Sequence, residues 1–362
     1  MDNKKKISSR RDFLTVGMTG DRSKQSADDA EANLIGQRKQ GYLETYSKNA
    51  MACEFQLLFN MQQYGNSGDA ALKVFELIDT YEDQLSVYRS DSEVSRLNRT
   101  GCDDTVTVQE NLYELLTVAE AIFKRTNGAF DITSTPLSKA WGFHNRDANV
   151  PTDEEIAEAL RLVDGNQVKL LPDNGIRIQH EGIGINLGGI GKGYTLDRAA
   201  DLLASCGIGD FVLHGGQSSV VAHGNDHGKT DADIDDTGWM IGISHPLVPE
   251  QRLAKFQLLG MALGTSGTGR QGFFHNGKRY GHIIDPRTGW PTDHFLSTTV
   301  ICNSAAEADA LATAFFVMDL DAVQSYCDDH PEIKTVIVRA GSGSKPIIES
   351  FNMDGIEWTI CS

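Results

Sequence analysis

An α+β fold, with antiparallel sheet and segregated helices, is predicted for this 362-residue chain by two hairpin signatures and several long stretches of helical apolar spacing. Strand pairs, rather than strict strand–helix alternation, argue against a doubly wound parallel sheet. At 40% hydrophobic residues, the chain can bury a large core, as one big domain or two smaller ones.

Residues 1–40 are polar, charged and without apolar periodicity, so they predict a tail, and residues 41–362 the folded domain. Residues 45–60 end in Phe55, Leu57, Leu58 and Phe59, which suit a strand. Gly68-Asp69 then opens a helix whose Ala71, Val74, Phe75, Ile78 and Tyr81 return at helical spacing. Thr107 with Glu110 three residues on forms a capping-box signature for a second helix running to Gly128, and Thr152 with Glu155 repeats it for a third. Asp173-Asn174-Gly175 and Asn276-Gly277 each sit between apolar runs and predict hairpins. Residues 193–208 are expected to be helical, and 211–222 and 239–244 to be strands. Residues 305–318 form a helix with Ala308, Leu311, Ala312, Phe315 and Phe316 inward. The aspartate-rich segment 227–237 predicts an exposed loop.

A net charge of −17, from 33 Lys and Arg against 50 Asp and Glu, excludes nucleic acid and anionic membrane surfaces as partners, since neither polyanion gains from such a field. An anionic ligand would need locally arranged donors or a metal. The six cysteines form no C-x-x-C pair and no metal-type spacing, and predict mostly buried thiols. No apolar run approaches the roughly 20 residues of a transmembrane segment. Ser9-Arg10-Arg11-Asp12-Phe13-Leu14 looks like a twin-arginine export signal, but the apolar run after it ends at Met18, before Asp21, Arg22 and Lys24. Two locations stay open: the periplasmic or cell-envelope side through a degenerate signal, or the cytoplasm behind a plain basic tail.

Four polar, glycine-rich segments interrupt the core pattern. Residues 86–98 follow a helix and are dense in hydrogen-bonding groups, which a helix-capping loop would also explain. Residues 128–133, with Trp141-Gly142-Phe143, supply flat apolar walls edged by polar groups, as a planar ring ligand needs; aromatic core is the alternative. In residues 185–194, glycines before a helix let backbone N–H groups approach phosphate oxygens. There Lys192 adds charge, and Asp197 lies on the helix that follows. The last segment joins Gly264-Thr265-Ser266-Gly267, residues 280–291 and residues 308–313, and in it Asp309 and Thr313, four apart, share one helix face where two oxygens could hold a hard cation such as Mg²⁺. The alternative is an aspartate that merely complements its own helix N-terminus.

Together these segments resemble the FAD:protein FMN transferase family, the ApbE-like flavin transferases, over about residues 45–319. The most specific run is His282-Ile283-Ile284-Asp285-Pro286-Arg287-Thr288-Gly289, and the glycine-rich, 128–133 and 308–313 motifs occur in the matching order. The resemblance implies a duplicated antiparallel sheet-and-helix arrangement with FAD in a cleft between the halves. It places FAD contacts on Met51, Tyr88, Ala129, Phe130, Asp131, Gly188, Tyr194 and Ile283. It places Mg²⁺ ligands on the side chains of Asp309 and Thr313 and the main-chain oxygen of Gly191, a position usually alanine in the family. Met51-Ala52-Cys53 stands where the family has Met-Gly-Thr, and Gly215-Gly216-Gln217 where Gly-Gly-Asp is common.

The implied reaction is attack by a threonine or serine hydroxyl of an acceptor flavoprotein, within a Thr-containing target motif, on the FMN phosphorus of FAD, with AMP leaving. His282 is the candidate general base, a role suited to a side chain that titrates near neutral pH. Two rivals share the site: an FAD pyrophosphatase that uses water as acceptor, and a non-catalytic FAD-binding protein, against which the retained Asp309 and Thr313 argue.

Overall fold

The computed structural model describes residues 43–60, 65, 67–143, 148–225, 238–268, 272–341 and 345–361. The expected tail with its twin-arginine-like segment, and the aspartate-rich loop 227–237, lie outside the described residues.

In chain order the elements are β1 (Leu43–Ala50), β2 (Cys53–Asn60), α1 (Ser67–Leu85), α2 (Glu93–Thr100), β3 (Val106–Thr107), α3 (Glu110–Arg125), α4 (Thr135–Ala140), α5 (Asp153–Leu160), β4 (Val168–Leu171) and β5 (Gly175–Ile178). There follow α6 (Gly191–Ser205), β6 (Phe211–Gly215), β7 (Ser219–His223), β8 (Trp239–Ser244), β9 (Arg252–Leu258), β10 (Met261–Gly267), β11 (Gly272–His275), β12 (Lys278–Gly281) and β13 (Ser297–Cys302). The chain closes with α7 (Ala305–Val317), α8 (Leu320–Asp329), β14 (Lys334–Arg339), β15 (Ile347–Phe351) and β16 (Trp358–Ile360).

One eight-stranded sheet, ordered β1-β2-β6-β7-β10-β13-β14-β15, is antiparallel throughout. Alternation along β6 shows how both faces are covered. Phe211 and Leu213 join the cluster under α1 and α6, while Val212 between them joins Trp239, Phe256 and Leu258 of the small sheet β16-β9-β8. Helix α7 packs on β10 and β13. It is buried nearly all round, which fits its apolar residues on every face. Among the described residues no helix is long and apolar enough to cross a membrane.

Several expectations are corrected. Residues 45–60 form two strands, because Met51 and Ala52 turn the chain with φ of 49° and 59° and carry no turn-type side chain to announce it. Residues 211–222 likewise split at Gly216 and Gln217, with φ of 61° and 64°. The capping box at Thr107 is absent: α3 starts after Gln109, whose N–H donates to Glu93 Oε1 at 2.9 Å, and Thr107 is paired in β3. The box at Thr152 and Glu155 is present, as are both hairpins. All six cysteines are free thiols, but only Cys302 and Cys327 are buried and the other four are half-buried.

Candidate functional site

The N-terminal end of α6 and the middle of α7 meet over β7 and β10. Close approach is enforced by missing side chains. A Cβ on Gly193 would lie 2.0 Å from the Ala305 carbonyl oxygen, and one on Gly264 would lie 2.4 Å from the Ala308 carbonyl carbon.

At this junction the two helices cap each other. Asp197 of α6 accepts hydrogen bonds from Ser304 Oγ (2.8 Å) and from the Ala305 and Ala306 N–H groups (2.7 and 3.0 Å), satisfying the first turn of α7. Asp309 of α7 reaches back, its Oδ2 accepting from the Gly193 N–H at 2.9 Å and lying 3.8 Å from Lys192 Nζ. Its Oδ1 accepts from Ser219 Oγ at 2.6 Å. Asp309 thus serves the other helix, and the task of complementing its own helix falls to Ser304 and Asp197. Burial pushes the Asp309 carboxyl above the ordinary range, and the Lys192 charge with the Ser219 and Gly193 hydrogen bonds pulls against that rise.

One turn beyond Asp309, Thr313 Oγ1 donates to the Asp309 carbonyl (3.2 Å) and lies 3.0 Å from Ser266 Oγ on β10. Gly191 lies in the first turn of α6, where its carbonyl takes the helical bond from the Thr195 N–H and a second from Thr195 Oγ1 at 2.8 Å, so a cation on this oxygen would displace the hydroxyl. One carboxylate, one hydroxyl and one carbonyl suit Mg²⁺, which characteristically binds through one or two carboxylates plus substrate phosphates. Among the described residues no cluster of three or more His, Cys, Asp or Glu offers a complete protein cage.

Between Leu187 and α6 runs the glycine turn. The N–H of Gly188 donates to Asn186 Oδ1, and those of Ile190 and Gly191 to the Leu187 carbonyl. Within this run Gly189 and Lys192 are left to offer theirs. Phe130 is buried beneath the turn, so close that a Cβ on Gly189 would stand 3.1 Å from its ring. Ala129 is buried beside it in the same cluster. Asp131 ties its own loop together: Oδ1 accepts from Thr133 N–H and Oγ1 (2.7 and 2.6 Å), and Oδ2 from Gly165 N–H (3.0 Å). Tyr194 is buried against Tyr81, with its hydroxyl on Glu114 Oε2 at 3.1 Å; burial and the Glu114 charge raise its phenol.

Met51 sits in the β1–β2 turn, its N–H on Glu82 Oε1 (3.0 Å), with Thr195 Oγ1 3.8 Å from its sulfur. Tyr88 is 75% exposed. A cavity of about 270 Å³, large enough for one ring system, lies between Val87, Asn98, Thr135, Pro136, Lys139 and residues 182–185. The Thr135 hydroxyl, on this wall, is buried without a hydrogen-bond partner among the described residues. Asn98 holds the approach to the glycine turn by a double hydrogen bond to the Ile185 backbone (2.7 and 2.8 Å).

The run 282–289 is a pinned turn. Asp285 grips the Arg287 backbone and guanidinium at 2.8–2.9 Å, and Gly289, with φ of 77°, gives its carbonyl to Trp141 Nε1 at 2.9 Å. Trp141 is fully buried, so the aromatic-core alternative holds for it. His282 and Ile283 enter this turn half-buried, Ile283 against the main core cluster.

The sequence motifs marked α6, α7 and the glycine turn; Ser219 was missed as a site-forming group, and Ser266 and Asn98 were flagged only as members of their segments. Ser219 and Ser266 sit on strands whose distance in sequence from α7 hides their contact with it. Asn98 lay within the flagged 86–98 segment, but its partner is 87 residues away.

A model of the ApbE family matches residues 51–337. The chain is 31% identical to an FAD:protein FMN transferase of Klebsiella pneumoniae (strain 342), over 76% of this chain and 83% of that protein. It is also 31% identical to one of Vibrio cholerae (classical Ogawa 395), over 80% and 86%. Among solved structures, the ApbE protein of Thermotoga maritima superposes with a TM-score of 0.75 at 30% identity, covering 86% of this chain and 97% of that one. The apo flavinyl transferase ApbE of Pseudomonas stutzeri gives 0.74 at 26%, covering 85% and 94%.

Proposed function

Since the chain belongs to the ApbE family and is a transferase that moves FMN from FAD to protein, we propose that it does so with Mg²⁺, onto a Thr or Ser hydroxyl of an acceptor flavoprotein, releasing AMP. The observation that carries this reading is the buried Asp309 carboxylate, set between Lys192 and the first turn of α6 beside the Thr313 hydroxyl.

Mg²⁺ held by Asp309, Thr313 and the Gly191 carbonyl would neutralise charge on the pyrophosphate. The free N–H groups of Gly189 and Lys192, with the Lys192 ammonium, orient a phosphate at the start of α6. The acceptor oxygen forms a bond to the FMN phosphorus, the bond from that phosphorus to the bridging oxygen breaks, and AMP departs with the bridging oxygen. His282 takes the hydroxyl proton. If it does, His282→Ala slows transfer by about 10²–10⁴-fold and removes the corresponding limb of the pH–rate profile; equal rates at every pH would refute the assignment.

Incubation with FAD, Mg²⁺ and a tagged acceptor bearing a Thr-containing target motif tests the whole reading. Wild type is expected to give covalent flavin fluorescence and stoichiometric AMP, both lost in Asp309→Ala. AMP without an adduct would instead establish hydrolysis of FAD, and bound FAD with neither product a binding protein.

A further inference from the structure

Ser219 opens β7 and is completely buried. Its partners in register on the two neighbouring strands are both glycines, Gly215 on β6 and Gly264 on β10. This row of the sheet therefore carries one side chain flanked by two bare positions, and α7 descends onto it until Gly264 is in direct contact with the Ala308 backbone. The single side chain of the row is polar, and it meets Asp309 at 2.6 Å.

We propose that Ser219 is a positioning residue for metal binding: it fixes the orientation of the Asp309 carboxylate so that the oxygen lone pairs left over converge with Thr313 on one cation. The proposal depends on the Mg²⁺ reading given above. An ionised carboxylate has about four lone-pair positions. Ser219 occupies one on Oδ1 from the sheet side, and Gly193 N–H one on Oδ2 from the α6 side. Held from both sides, the carboxylate cannot rotate about its Cβ–Cγ bond without breaking a charge-assisted hydrogen bond. Thr313 is braced in a similar way by Ser266 from the adjacent strand β10. The acidic ligand thus owes its aim to a residue 90 positions earlier, wholly buried in the sheet.

Binding of Mn²⁺, followed by electron paramagnetic resonance on the full chain, reads this directly and without turnover. Ser219→Ala is expected to weaken Mn²⁺ binding by about 10-fold or more, the usual effect of removing a group that orients a metal ligand. The Mg²⁺ concentration for half-maximal transfer should rise by a similar factor, while FAD binding in EDTA stays unchanged. Ser219→Thr, which keeps the hydroxyl, should recover most of the affinity. Ser219→Cys, nearly isosteric with a weaker donor, serves if the alanine variant does not fold, and should fall between alanine and wild type. Wild-type Mn²⁺ affinity in the alanine or cysteine variant overturns the proposal alone. A wild-type protein that binds no Mn²⁺ overturns the metal reading, and this proposal with it.

Discussion

At the scale of single residues, the protein keeps one carboxylate under tension. Asp309 is 7% exposed, and burial raises its carboxyl above the usual range. A carboxyl whose folded-state value exceeds its unfolded one stabilises the fold fully only below the unfolded value, and that contribution is lost as pH rises through the folded value. At neutral pH the ionised group therefore weighs on the metal-free fold. Asp309→Asn, whose amide can still meet Gly193 and Ser219, should raise the thermal midpoint of the metal-free protein at pH 7 by a few degrees. The gain should vanish towards acid pH, and FMN transfer should be abolished. Thermal scans across pH check this, and a lower midpoint at pH 7 would show that hydrogen bonds and Lys192 more than offset the burial.

Between elements, function depends on how closely α7 can lie on the sheet. The missing Cβ of Gly264 is what permits the contact with Ala308, so Gly264→Ala must lift the helix that carries Asp309 and Thr313. Overpacking of this kind costs about 1–3 kcal/mol, and chemical denaturation should show it together with a loss of transfer larger than the stability change explains. Sequence patterns announced α7 well, since thirteen residues with so few polar members predict a buried helix, and they announced the hairpins at Asp173-Asn174 and Asn276-Gly277, whose turn residues take positive φ. The turns at Met51-Ala52 and Gly216-Gln217 stayed hidden where the local residues gave no such signal or only half of it. The four-residue spacing put Asp309 and Thr313 on one helix face but left an aspartate that merely caps its own helix as the alternative; the metal role came from the family resemblance. Asp197 was grouped with the ligand-binding residues, whereas its carboxylate is engaged by the first turn of α7, a tertiary contact that no local pattern encodes. Ser219 was invisible for the same reason.

For the whole molecule, an FAD pyrophosphate approaches a body of net charge −17, and in the proposed reading it meets a local cation at Lys192 on the first turn of α6. Raising ionic strength from about 0.01 M to 0.15 M shortens the screening length from about 30 Å to 8 Å. That removes the distant repulsion and spares the short-range contacts. The association rate of FAD, followed by stopped-flow flavin fluorescence, should therefore rise with salt; a fall would mean that the local cation dominates steering. The reciprocal caps carry one more consequence. Because Asp197 closes α7 and Asp309 closes α6, neither helix can fray at its start without slackening the other, so the two beginnings open as one cooperative unit. The amides of Gly193, Ala305 and Ala306 should share a single opening free energy in native-state hydrogen exchange, and Asp197→Ala should speed exchange at the Gly193 amide, which bonds to Asp309 and not to the Asp197 carboxylate.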